Sequence, residues 1–451
     1  MRYVVDIECD ALVATKIHCL SYRTEDNTDK KVLYDYKEMI SFLSTATEII
    51  GHNIIEYDIP TLKRILNVPI HARLIDTLLL SWTLNPMRKV HGLESYGEEY
   101  GVLKPKIDDW QNLSKEEYGI RCSTDTKINL ILWLNQKKYL EALYKDDLPK
   151  MDNYIDYLSF KMSCVREQRD IGLNFDRNLC VTTLEQLEKE KEERKEALIS
   201  VMPKVANKKI KTCPKVLYKA NGELSKAGEE WFKLLKDKDL PPHTPEVTVI
   251  TDYEDGNPNS VDQVKNWLYS LGWIPEHIKH VRDKKKNTVK KIPQVASKEG
   301  GGEICPSIHK LMDKEPNLIH LEGLSILTHR IGLLNGFLRD QVDGRLQASC
   351  AGLTNTLRLQ HSVIVNLPSV ERKYGKELRG CLIADEGSIL CGSDLSGIED
   401  STKRHYIYDY DPEYVEEMNV EGYDPHLELG NLANMISQDE IKFFKWFANK
   451  S

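Results

Sequence analysis

No stretch of this 451-residue chain approaches the roughly 18 consecutive apolar residues that a membrane-spanning helix requires. The opening Met1-Arg2-Tyr3 lacks the apolar region of a signal peptide, so a soluble, intracellular protein with no membrane partner is expected. The ten cysteines include no Cys-x-x-Cys pair and the histidines do not cluster, which argues against a zinc site and against a disulfide framework. Reduced thiols are expected. Positive charge is not in excess either: a net charge of −8 speaks against a protein that coats nucleic acid over its whole surface, because neutralising phosphates takes local Lys and Arg. The basic residues are nevertheless unevenly placed, in one cluster of Lys204, Lys208, Lys209, Lys211, Lys215 and Lys219 and a second of Arg282, Lys284, Lys285, Lys286, Lys290 and Lys291. Each is either a solvated stretch or a phosphate contact.

What is present starts within the first eight residues, where the apolar run Tyr3-Val4-Val5 leads into Asp6-Ile7-Glu8. On a strand the two carboxylates point to the same face, because side chains alternate. Two acids on one face at the end of a buried strand repel unless something positive lies between them, and a divalent metal ion is the simplest candidate. Two more acids follow. Asp58 stands in Gly51-His52-Asn53-Ile54-Ile55-Glu56-Tyr57-Asp58-Ile59-Pro60, and Asp125 precedes the apolar helical stretch Ile128 to Leu134. Each has a bland alternative, since Asp58 with Pro60 or Asp125 beside Ser123 and Thr124 would also serve as a helix cap. Four carboxylates suit a two-metal phosphodiester site.

The Asp6-Ile7-Glu8 motif, the Asn53 to Asp58 motif, the Leu74-Ile75-Asp76-Thr77-Leu78 segment and Asp125 together resemble the DEDD family of 3′ to 5′ exonucleases, in the form fused to family A DNA polymerases of phage replicative type. The resemblance implies an α/β ribonuclease H-like domain in which Asp6, Glu8, Asp58 and Asp125 hold two Mg²⁺ or Mn²⁺ ions. Asp76 fits a helix start better than a ligand. The family usually carries a Tyr four residues before the last acid, where its hydroxyl orients the attacking water, and here Arg121 stands at that position. Arginine offers only donors, so it cannot act as a base, although it can hold a phosphate oxygen. Tyr118 is the nearest alternative, on the same helix face but about 10 Å further along the axis from Asp125.

A chain of this length should form two or three domains. Residues 1–150 alternate strand-like and helix-like segments, as an α/β domain does. Residues 151–200 read as helix broken at Gly172, the lysine-rich stretch 203–258 reads as an insertion or flexible loop, and Asn257-Pro258-Asn259-Ser260 starts a helix carrying Val264, Trp267, Leu268 and Leu271, with Gly300-Gly301-Gly302 as a second loop. Asp170 to Asp176 resembles the start of a family A polymerase thumb, and Asn257 to Trp273 the helix at its tip. The resemblance therefore implies an α-rich thumb over 151–340, in which the 203–258 insertion is a candidate site for a processivity factor, followed by an incomplete α+β palm of a right-hand polymerase over 341–451.

The most specific match is Ser388-Ile389-Leu390-Cys391-Gly392-Ser393, which reads as a buried strand, followed by Asp394-Leu395-Ser396-Gly397-Ile398-Glu399. It resembles the first palm motif. By that resemblance Asp394 and the Leu395 carbonyl are polymerase metal ligands, and Glu399 fills the space of a 2′ hydroxyl. Arg358, His361, Asn366-Leu367-Pro368 and Arg379 resemble residues that touch the primer-template, through contacts that tolerate any sequence, and Tyr423-Asp424-Pro425-His426 resembles the approach to the fingers. The fingers helix and the second palm motif do not follow before Phe447 to Ser451. One carboxylate does not hold two ions and a triphosphate. The expectation is the exonuclease-bearing half of a polymerase encoded in two pieces, completed by a second subunit with fingers, remaining palm and two more ions; a truncated product is the other explanation. Primer-template and single-stranded DNA are the expected partners and a bacterial host's cytoplasm the expected location. A stand-alone exonuclease and a non-catalytic DNA-binding subunit are the alternatives.

Overall fold

The computed structural model describes residues 1–107, 109, 113–145, 147–283, 288–297, 303–395, 397–420 and 422–432. Lys284 to Lys286 of the second basic cluster, Gly300 to Gly302, Ser396 and the terminal Phe447 to Ser451 lie outside the described residues. The chain divides into two units, Met1–Asp385 and Glu386–Ser451.

The first unit begins with a five-stranded sheet of β1 (Arg2–Cys9), β2 (Ile17–Thr24), β3 (Lys30–Leu33), β4 (Glu48–Gly51) and β5 (Arg73–Asp76), ordered β3-β2-β1-β4-β5. The first three strands are antiparallel, whereas β4 and β5 run parallel to β1. Parallel neighbours need crossovers, supplied by α1 (Tyr36–Thr45) and α2 (Ile59–Leu66). Then come α3 (Thr77–Leu84), α4 (Leu93–Tyr100), the 30-residue α5 (Lys115–Tyr144) and α6 (Leu148–Ile171). Helix α5 starts in a capping box, Ser114 accepting from the Glu117 N–H while the Glu117 carboxylate accepts from the Ser114 N–H. It lies across β1 and β2, where the Ser21 hydroxyl pairs with that of Thr126 and Arg23 donates to Ser123. Gly119 allows the helix to approach the end of β3, for a Cβ there would overlap the Tyr34 hydroxyl.

Val4, Val5, Leu20, Ile49, Ile50, Ile75, Leu130 and Trp133 fill the core between these layers, and α6 adds Met151, Ile155, Leu158 and Met162. Each buried aliphatic side chain contributes about 1.5–3 kcal/mol. The helix breaks where the sequence suggests, at Gly172 with a φ of +65°, and β6 (Leu173–Phe175) and α7 (Arg177–Ile199) follow.

Residues 203–258 correct the loop expectation. Strands β7 (Val205–Thr212) and β8 (Glu246–Glu254) pair antiparallel around α8 (Lys226–Asp237), and Trp231, Leu235 and Val247 form a core of their own. The lysines disguise it: Lys208, Lys209 and Lys211 stay exposed on β7, while the few apolar residues, Trp231 and Leu235 one turn apart, suffice for a local core.

Ser260 caps α9 (Val261–Ser270), which buries Val264, Trp267 and Leu268. A hairpin of β9 (Ile278–Asp283) and β10 (Thr288–Pro293) carries the described part of the second basic cluster. Then come α10 (Pro306–His309), α11 (Leu324–Asp340), β11 (Gln341–Val342), β12 (Arg345–Leu346), β13 (Cys350–Leu353), β14 (Leu359–His361), α12 (Gly375–Gly380) and β15 (Leu382–Ile383). Phe175, Leu187, Leu334, Phe337, Leu346 and Leu378 join α7, α11 and this last region in one core.

The second unit holds α13 (Ile398–Ile407), α14 (Pro412–Met418) and α15 (Pro425–Leu432). Ser388 to Ser393 is not the buried strand that its composition suggests: the segment is irregular and exposed, with Ile389 at 88% and Leu390 at 54% exposure. A strand needs neighbours to satisfy its backbone and cover its apolar side chains, and none of the described strands pairs with this segment. All ten cysteines are free, and no described helix is long and apolar enough to cross a membrane.

Candidate metal centre

Past Val4, strand β1 loses its pairing with β4 but keeps its register with β2 as far as Glu8, after which the register shifts. Asp6 and Glu8 fall on the free end of the strand, on the face covered by α5. Helix α5 brings Asp125 to the same place, so that one carboxylate oxygen from each of Asp6, Glu8 and Asp125 lies within 4.8 Å of the others. Asp125 stands in the third turn of a helix that begins at Lys115, which excludes a capping role.

Asp58 approaches from the segment between β4 and α2, a π-helical turn over Ile54–Asp58. Three anchors hold that turn. Asp76 accepts from the backbone N–H groups of Asn53 and Ile55, Tyr57 donates to the Ala11 carbonyl at 2.8 Å, and Glu56 pairs with Arg169. Asp76 also caps α3 by accepting from Leu78 and Leu79, which is the helix-start role read from the sequence. Asp58 itself makes no capping bond through its side chain. Its charge is felt by Asp6, and it feels that of Glu8.

The electrostatics are those of an acidic cluster short of positive charge. Desolvation, then repulsion from Asp125, Asp58 and Glu8, holds the Asp6 carboxyl well above its ordinary range. Glu8 is pushed up to about 7 by desolvation and then by Asp125, against the pull of Arg121 and Lys104. Asp58 also reaches about 7, through desolvation and then Asp76. Asp125 is raised by its burial despite Lys104 and Arg121. His52 brings no compensating charge, since burial lowers it to about 3 and its Nδ1 pairs with the Thr77 hydroxyl at 2.9 Å.

Two cations face these acids. Arg121 Nε lies 3.8 Å from both Glu8 Oε1 and Asp125 Oδ2, and Arg121 donates to the Pro105 carbonyl at 3.0 Å. Lys104 donates to Asp125 Oδ2 at 2.6 Å. Sequence reasoning missed Lys104, which lies in a loop 21 residues before its partner; no local pattern relates the two. Tyr118 is buried, its ring stacked on His18 with centroids 3.9 Å apart.

The cluster fits a hard divalent cation. Its donors are all carboxylate oxygens, which suit Mg²⁺ or Mn²⁺ rather than a softer metal, and Asp125 Oδ1 is buried without a hydrogen-bond partner among the described residues. A buried acceptor in that condition costs about 1–3 kcal/mol, which a bound cation would offset.

The other site residues read from the sequence are more dispersed. Arg358, His361, Asn366 and Arg379 are exposed in the first unit. Arg379 donates to the Pro368 carbonyl at 2.6 Å and so holds the Asn366 to Pro368 turn, in which Asn366 is left-handed at a φ of +52°. In the second unit Asp394 and Leu395 are exposed, Glu399 sits in the first turn of α13, and Tyr423 donates to the Tyr414 hydroxyl at 3.4 Å.

No protein-family model matches the chain, and no curated protein matches it. Among solved structures it is similar to the POL domain of Pol1 from M. smegmatis in complex with DNA primer-template and dNTP, with a TM-score of 0.59 at 13% identity. The match covers 99% of this chain and 66% of that one. The chain has a DNA polymerase-like fold and spans about two thirds of that structure's length.

Proposed function

We propose that this chain carries the 3′ to 5′ exonuclease of a family A DNA polymerase of phage type, together with its thumb and the first part of its palm. The observation that carries the reading is the convergence of Asp6, Glu8 and Asp125 within 4.8 Å. The 3-2-1-4-5 sheet beneath them, with its antiparallel first three strands, supports a ribonuclease H-like domain. The likeness of the fold to a polymerase domain supports the rest.

In this reading Asp6, Glu8, Asp58 and Asp125 hold two Mg²⁺ or Mn²⁺ ions, whose chemistry is to activate a water and stabilise the leaving 3′ oxygen. Arg121 orients Glu8 and Asp125 and offers donors to a phosphate oxygen. The buried polar set of His52, Thr77 and Asn129, in which Thr77 donates to Asn129 at 2.6 Å, fixes helix α5 beside the Asp58 segment. Asp394, the Leu395 carbonyl and Glu399 supply one share of a polymerase site, which fingers and further palm would complete. The exposed Ile389 and Leu390 are apolar side chains that those elements would cover. The DNA substrates are primer-template and single-stranded ends, with Arg358, His361, Asn366 and Arg379 on the duplex.

The test is a gel assay with 5′-labelled primer-template and Mg²⁺, with and without deoxynucleotides. Shortening from the 3′ end without extension is expected. Extension by this chain alone would overturn the reading of Asp394 and Glu399 as only one share of a polymerase site, and no reaction would overturn the exonuclease.

A further inference from the structure

Lys104 and Asp125 form an enclosed pair: their side chains are only 11% and 9% exposed. Screening by water and salt, which makes surface pairs weak, is therefore reduced here. We propose that Lys104 is a built-in counter-ion of the centre, a positioning residue that occupies Asp125 Oδ2 in competition with a divalent cation and so sets how tightly the centre holds metal. The proposal rests on reading the acids as a metal centre, and it extends that reading to a residue outside the carboxylate set.

Three features support it. The two oxygens of Asp125 differ, Oδ2 being taken by Lys104 at 2.6 Å while Oδ1 has no hydrogen-bond partner among the described residues. The same ammonium also acts on Asp6 and Glu8, so one cation serves three carboxylates. Finally, the loop that carries it is fixed to the helix that carries Asp125. Gly101 ends α4 in the left-handed conformation at a φ of +69°, and Arg121 donates to the carbonyl of Pro105, the next residue after Lys104. The ammonium rides on a flexible four-carbon stem and can leave Asp125 without moving that loop.

The experiment is titration calorimetry of the full chain with Mn²⁺, comparing the parent with Lys104→Met and Lys104→Arg. Removing a unit charge from the centre should tighten Mn²⁺ binding on the order of tenfold in Lys104→Met, while Lys104→Arg stays near the parent. Equal affinity of Lys104→Met and parent would overturn the proposal. Should Lys104→Met not fold, acylation of the parent by a small amine reagent, read by mass spectrometry, decides: Lys104 should react faster once Mn²⁺ is added, and an unchanged rate would overturn the proposal. A parent that binds Mn²⁺ but digests no DNA sinks the exonuclease reading and leaves the role of Lys104 standing. A parent that binds no Mn²⁺ sinks both.

Discussion

The Cys122 thiol donates to the backbone carbonyl of Asp6 at 3.2 Å, tying helix α5 to strand β1 one turn before Asp125. Residues three apart share a helix face, so this contact directs Asp125 onto the acids of the strand. The register of the acidic cluster is set by packing between α5 and the sheet, and the acids themselves oppose it.

That opposition makes the first prediction. The double variant Asp6→Ala with Glu8→Ala should lose 3′ to 5′ digestion entirely while keeping its circular dichroism. In chelator it should melt no lower than the parent, because two of four mutually repelling carboxylates are gone. A double variant that digests as fast as the parent would remove the assignment.

Stability of the metal-free protein should fall with rising pH. Glu8 and Asp58 hold their protons to about 7 when folded, against about 4 in the unfolded chain. Between those values the folded state binds more protons, so the contribution of these groups is full below about pH 4 and is lost as pH climbs through 7. In chelator, the melting temperature should be lower at pH 8 than at pH 6, and Mg²⁺ at pH 8 should raise it. The opposite trend in chelator would contradict the coupling.

Asp76 and Asp58 should separate cleanly. Asp76→Ala strips acceptors from the N–H groups of Asn53, Ile55, Leu78 and Leu79 and should destabilise the protein by about 2 kcal/mol or more in urea denaturation. Asp76→Asn, which still has an acceptor oxygen, should keep most digestion. Asp58→Asn should do the reverse, folding well and failing to digest.

Arg121→Lys should lower digestion about tenfold or more, because an ammonium cannot reproduce the fork that spans Glu8, Asp125 and the Pro105 carbonyl. Single-turnover kinetics on a labelled primer would read this directly, and a rate equal to that of the parent would assign Arg121 to charge alone.

The 203–258 module should melt without the five-stranded sheet. Trp231→Ala opens its separate core and should cost that module about 3–5 kcal/mol. Hydrogen exchange should then rise in β7, α8 and β8 while β1 to β5 stay protected and digestion is unchanged. Loss of protection in the first sheet would show the two cores to be coupled.

Much of the acidic cluster was legible because its signals are local. Asp6 and Glu8 needed only strand alternation, and the break at Gly172 and the cap at Ser260 follow from one or two residues each. Other features were not local. The composition of 203–258 suggested a loop because the lysines outnumber the three side chains that close its core. Ser388 to Ser393 suggests a buried strand by its apolar residues, but a strand also needs pairing partners, which the segment itself does not encode.

The sequence by itself determined that acids stand at a strand end and ahead of apolar helical stretches, and that Arg121 stands four residues before Asp125. Only the tertiary structure decided that Asp125 meets Asp6 and Glu8, that Asp76 caps a helix while holding the Asp58 turn, and that Lys104 reaches Asp125 at 2.6 Å. Side-chain period along one element is a property of its own residues. Which elements face each other depends on the packing of α5 across β1 and β2, which no single segment encodes.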